Sequence, residues 1–157
     1  LSLHDALPIS PPLRYVNEPI IFKKEAAATF FNVQFGHLVQ LIIGEQVIPV
    51  RPITLLYPPH SLLLIHCDGA PFAYSMSLLV THQQERHTET KHKKKEEEGC
   101  YPALAVLTSK IQPMQVDIQL QRGQAVLFKG QEHPHYRAIT QEGQTLVSVS
   151  FSWDQRT

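Results

Sequence analysis

The chain has 157 residues, 43% of them hydrophobic, which suits one domain burying about two-thirds of its unfolded surface and is too short for two comfortable ones. Fourteen basic and fourteen acidic side chains give a formal net charge of zero, so no basic field recommends nucleic acid or an anionic membrane as a partner. Two cysteines, Cys67 and Cys100, form neither a secreted disulfide framework nor a zinc-finger spacing, which favours a reducing, cytoplasmic setting.

Residues 1–10, Leu-Ser-Leu-His-Asp-Ala-Leu-Pro-Ile-Ser, resemble the translated read-through of a sequencing adapter. They are set aside from the fold reasoning, His4 and Asp5 with them, and a single domain is expected over 11–157. Residues 22–47 carry helix formers with apolar residues three and four apart, which predicts one or two helices, broken near Gly36 or ended at Gly44. Phe31, Phe35, Leu38 and Ile42 would share one apolar stripe. The apolar runs at 38–43 and 62–65 fall far short of the roughly 20 residues a bilayer span needs, so no membrane crossing is expected.

From Ile48 the character changes to prolines, β-branched residues and short apolar runs between turn signals. Strands are predicted at 53–57, 61–67, 73–80, 103–107, 114–120, 125–128, 136–139 and 145–153. Alternation is clearest in Val116-Asp117-Ile118-Gln119-Leu120 and Val147-Ser148-Val149-Ser150-Phe151, as in half-buried antiparallel strands. Residues 82–99 have no apolar periodicity and both signs of charge, and are read as a solvated loop carrying His82, His87 and His92. The expected class is mainly β (α+β): a jelly roll with one or two supporting N-terminal helices.

The chemistry concentrates in His66-Cys67-Asp68, at the end of the apolar run Leu62-Leu63-Leu64-Ile65. Side chains two apart on an extended segment share a face, so His66 and Asp68 can hold one metal together. A second histidine from a later strand would complete a two-His-one-carboxylate set, which leaves positions open on a non-haem Fe(II). Gly130-Gln131-Glu132-His133-Pro134-His135-Tyr136-Arg137 supplies two such histidines after the strand at 125–128.

With these elements in order, residues 38–153 resemble the Fe(II)/2-oxoglutarate-dependent dioxygenases, in which a strand ending in His-x-Asp is followed by a Gly-led strand and a distal His. Tyr57, nine residues before His66, stands as in the prolyl-hydroxylase-like branch, and Ser75-Met76-Ser77-Leu78-Leu79-Val80 looks like the strand following the triplet there. Gly130, Glu132, His135, Tyr136 and Arg137 look like the Gly-x-Glu-x-x-His-aromatic-Arg element of an uncharacterised branch of that superfamily. The resemblance implies a double-stranded β-helix, Fe(II) and 2-oxoglutarate as cofactors, molecular oxygen, and a small-molecule or protein side-chain substrate.

It also implies His66, Asp68 and His135 as metal ligands, with His133 the alternative third ligand because it lies two residues away. Glu132 is a candidate for orienting an imidazole from behind. Two departures from the family pattern stand out. The cation expected about ten residues beyond the distal His is absent from Gln144-Thr145-Leu146, which leaves Arg137, with Tyr57, to meet the cosubstrate's far carboxylate. The Gly expected three residues after Tyr57 is His60. A non-catalytic jelly-roll binding module and a cupin-type metalloprotein using His133-Pro134-His135 are the competing readings.

Overall fold

The computed structural model describes residues 17–23, 25–84, 103–108 and 114–155. Ten strands and one helix run in the order β1 (Ile20–Lys23), α1 (Ala26–Ile43), β2 (Val47–Pro49), β3 (Ile53–Tyr57), β4 (Leu63–His66), β5 (Tyr74–Gln84), β6 (Leu104–Leu107), β7 (Gln115–Ile118), β8 (Ala125–Phe128), β9 (His135–Arg137) and β10 (Gln144–Gln155). One sheet is ordered β1-β3-β10-β5-β8 with β2 also on β10; the other is β4-β9-β6-β7, and every named strand pairing is antiparallel.

The long strand β10 organises the larger sheet. Its alternation sends Phe151 and Trp153 to one face, where they meet Ala28 and Val39 of α1, Val47, Tyr74 and Met76. The other face carries Leu146, which packs with Leu55, Tyr57, Leu79 and Leu120 in the space between the sheets. The helix therefore covers the outside of the six-stranded sheet, and the four-stranded sheet closes its inside.

The helix is single, passing through Gly36 and ending at Gly44, whose left-handed φ of 75° lets its N–H reach the Gln40 carbonyl at 3.0 Å. Its buried residues are Ala28, Asn32, Gly36 and Val39; of the expected stripe Phe35 is half-buried and packs against Phe151, while Phe31, Leu38 and Ile42 are exposed. The reason is close approach to Trp153. A Cβ on Gly36 would stand 3.3 Å from the indole Nε1, which donates to the Asn32 carbonyl at 3.0 Å. Only a small side chain fits at Gly36, and Phe31, Leu38 and Ile42 turn outward. Gly44→Ala meets no neighbour within 4 Å, so the variant isolates the backbone term: a loss of about 1 kcal/mol in urea unfolding is expected from the left-handed conformation.

By length and composition α1 could cross a membrane, with a mean hydropathy of 1.3 over 18 residues. Counting uninterrupted apolar runs misses this, because Asn32, Gln34, His37 and Gln40 interrupt them. Its contacts run to β2 and β10, as a helix docked on a sheet.

The strands at 53–57 and 125–128 match their predicted bounds, and the others shift by one to four residues at their ends. Two short strands, β1 and β2, were not expected. The predicted loop at 82–99 begins too early, since β5 continues to Gln84 and pairs His82 with Leu146 of β10. Residues 85–99, with His87 and His92, lie outside the described residues, as do residues 1–10.

Candidate metal centre

The triplet and the later histidine meet across the β4–β9 ladder, where His66 is the register partner of His135. Opposed residues on antiparallel strands bring their Cβ atoms to about 5 Å. The imidazole centroids lie 4.3 Å apart. Asp68, just past the end of β4, is fixed by its N–H, which donates to the Gly130 carbonyl at 2.9 Å. Its Oδ1 then lies 3.7 Å from the Nε2 of both His66 and His135. One donor atom from each residue falls within 4.8 Å of the others.

Both rings are held with Nε2 available. His66 Nδ1 lies 2.8 Å from the Leu64 carbonyl and His135 Nδ1 lies 3.0 Å from the His133 carbonyl. A carbonyl oxygen only accepts, so Nδ1 is the donor in each ring and Nε2 is the atom turned toward Asp68. Such bonds from behind fix the tautomer and orientation of a ligating imidazole. Burial, partly opposed by the bond to the His133 carbonyl and by Asp68, holds the His135 imidazole below its ordinary pKa, which favours the neutral, ligating form. The donor set and its tautomers fit a divalent transition metal.

Ser75 Oγ donates to Asp68 Oδ2 from the facing sheet. The Phe128 ring packs edge-on against His135 at 4.7 Å. Gly130 is required by contact: a Cβ there would lie 2.8 Å from Asp68 Cγ. This gives a reason for the Gly-led element read from the sequence.

His133 does not join the group. Residues 131–133 turn rather than extend, so the two-residue rule for a shared face does not hold across them, and His133 Nδ1 lies 3.2 Å from the Leu107 carbonyl. Glu132 is exposed and pairs with Lys129 Nζ at 3.2 Å. The contacts behind the imidazoles come from backbone carbonyls instead.

The three residues line a cavity of about 230 Å³ between the sheets, with Tyr57, Ser77, Arg137, Leu55, Leu63, Leu104 and Phe128 among its walls. Arg137 follows His135 by two on β9, so both point inward. Arg137 is 3% exposed; its guanidinium donates to Ser77 Oγ at 3.2 Å and lies 5.4 Å from the centroid of the Tyr57 ring. Burial lowers its pKa and raises that of Tyr57, each opposed by the other's charge. An arginine stays charged even so.

At His60 the backbone takes the left-handed φ of 62° that a glycine would adopt freely, and its Nε2 lies 2.6 Å from Glu142 Oε2. The substitution of His for the expected Gly thus leaves the turn in place. Ser75 and Ser77 were not singled out from the sequence as site residues. Their signal is weak but present: two serines spaced by two at the start of a strand whose next residues are Leu78-Leu79-Val80 put hydroxyls on its inner face.

No protein-family model matches the chain, and no curated protein matches it. Solved structures do. A prolyl-4-hydroxylase from Pseudomonas putida aligns with a TM-score of 0.59 at 16% identity, over 87% of this chain and 72% of that one. The fold is the double-stranded β-helix. The non-haem α-ketoglutarate-dependent carbocyclase SnoK from nogalamycin biosynthesis aligns at 0.66 and 9% identity, over 89% of this chain and 64% of that one. An oxidoreductase of the 2OG-Fe(II) oxygenase family from Burkholderia pseudomallei aligns at 0.59 and 11% identity, over 83% of this chain and 57% of its own. The chain thus spans less than two-thirds of the length of the last two.

Proposed function

We propose that the protein is an Fe(II)- and 2-oxoglutarate-dependent oxygenase. The observation that carries this reading is the convergence of His66, Asp68 and His135, one donor atom from each within 4.8 Å of the others, with both imidazoles oriented by carbonyls at Nδ1. These three would hold the metal and leave the rest of its coordination sphere open. Fe(II), when bound, supplies the redox chemistry: one oxygen atom of O₂ goes to the substrate as a hydroxyl and the other to succinate, as 2-oxoglutarate loses carbon dioxide.

The protein's share is binding, orientation and exclusion of water. Arg137, on the same inward face of β9 as His135, is placed to take the far carboxylate of the cosubstrate in a two-point clamp. It supplies from β9 the cation that the last strand lacks. The Tyr57 hydroxyl can donate to the same carboxylate, and its raised pKa keeps it protonated for that role. Leu55, Leu63, Leu104 and Phe128 keep the cavity dry, which strengthens each charged contact within it.

The organic substrate is assigned to space outside this cavity. A second cavity of about 520 Å³ shares Phe128 as a wall and is lined by Val106, Val116, Ile118 and Leu127, with Tyr74 and Glu45 among its polar groups. Cys67 and the location of the chain in the cell enter none of this.

The test is succinate formation by the protein supplied with Fe(II), oxygen, 2-oxoglutarate and a panel of small molecules and peptides. Arg137→Gln is expected to raise the KM for 2-oxoglutarate roughly ten- to hundredfold, as loss of a charge-assisted contact does, with metal affinity retained. Absence of iron binding, or absence of turnover across the panel, would instead favour a non-catalytic binding module.

A further inference from the structure

The two oxygens of Asp68 are treated differently by the protein. Oδ1 faces the imidazoles, 3.7 Å from each Nε2. Oδ2 accepts the Ser75 hydroxyl, and an ionised carboxylate can only accept, so the direction of that bond is fixed. Ser75 is 2% exposed and locked in register between Phe128 of β8 and Ser152 of β10. Gly130 closes the other side: a Cβ there would lie 2.7 Å from Ser75 Oγ and 2.8 Å from Asp68 Cγ. The carboxylate thus sits in a slot, with its backbone N–H held by the Gly130 carbonyl.

We propose that Ser75, with the space left by Gly130, is a positioning residue that keeps Asp68 a one-oxygen ligand and so sets how many positions stay open at the metal. This rests on the metal-centre reading above. Carboxylates bind metals through one oxygen or both. On an octahedral ion, two imidazoles and one carboxylate oxygen leave about three positions, enough for a 2-oxo acid bound at two points and for oxygen. A second carboxylate oxygen would take one of them. Ser75 competes for that oxygen, and the strand that carries it is too firmly paired to withdraw. The same bond orients the carboxylate before any metal arrives, which reduces the ordering cost of binding.

The experiment uses Mn(II) on the full chain and counts metal-bound water by proton relaxation, with no turnover required. The wild-type protein is expected to show about three exchangeable waters on Mn(II) and Ser75→Ala about two. The affinity of the Mn(II)-loaded variant for 2-oxoglutarate is expected to fall at least tenfold, as loss of a supporting hydrogen bond behind a ligand does. Ser75→Thr keeps the hydroxyl and is expected to restore the wild-type count. Ser75→Cys, close in size and a much weaker donor, takes the place of Ser75→Ala if thermal unfolding shows that variant to be misfolded. An unchanged water count in the hydroxyl-lacking variant overturns the role of Ser75 alone. Failure of the wild-type protein to bind Mn(II) overturns the metal centre itself.

Discussion

His135→Ala is expected to abolish stoichiometric binding of Mn(II) or Fe(II), while His133→Ala leaves it within about twofold, a contrast readable by isothermal titration. The two residues are two apart, yet their surroundings separate them. His135 opens β9, opposite His66 in the ladder, 7% exposed in its side chain and with Nε2 toward Asp68. His133 sits in the preceding turn against the Leu107 carbonyl. What His133 gives the site is its backbone carbonyl, which holds His135 Nδ1 and survives substitution by alanine. Loss of one of three ligands should exceed the roughly 10- to 100-fold cost of losing a supporting hydrogen bond, so turnover should fall below detection with it. The opposite result, with His133→Ala losing the metal and His135→Ala keeping it, would move the third ligand to His133.

Trp153→Ala is expected to cost about 3–5 kcal/mol, the usual range for deleting a buried aromatic side chain. That is a large part of the roughly 5–15 kcal/mol that holds a domain of this kind folded. Trp153 is fully buried, stacks near Phe151 at 6.4 Å between centroids, and binds the Asn32 carbonyl within the helix. Its removal opens a cavity under Gly36 and frees α1 from the sheet that carries Ser75 and Ser77. Trp153→Phe should be milder, losing the indole bond at about 1 kcal/mol and some volume. Urea denaturation followed by far-UV circular dichroism separates the two; a Trp153→Ala midpoint equal to wild type would refute the account of helix docking.

The strands that were legible in the sequence are those whose burial alternates or whose apolar run ends in a turn. Residues 147–151 announced β10 because one face meets the helix and the other meets the second sheet. The strands that were missed lack such a pattern. All four residues of β1 are exposed, and β2 is three residues ending in Pro49; both exist through their pairing with β3 and β10. The helix stripe was misplaced for a related reason. Hydrophobicity selects Phe31 and Leu38, whereas close packing on an indole selects Ala28 and Gly36.

At the site, the His-x-Asp triplet could be read because a spacing of two on a strand has a geometric meaning. His135 could be ranked above His133 only through likeness to a known pattern, since the turn that separates them is not encoded in their spacing. Ser75 carried no spacing signal toward Asp68 at all. Its place depends on the sheets facing one another, which only the folded chain displays.

The opposition of His66 and His135 has a thermodynamic corollary. Among the named strands β4 pairs with β9 alone, and its pairing is irregular between Leu63 and His66. An ion bound there would fasten a marginal outer strand to its neighbour, so occupancy and strand pairing form a single linked equilibrium. Release of the ion then needs only local fraying of that strand, at a free energy below that of global unfolding. The centre would exchange its metal through an edge seam of the smaller sheet while the helix-backed sheet stays intact.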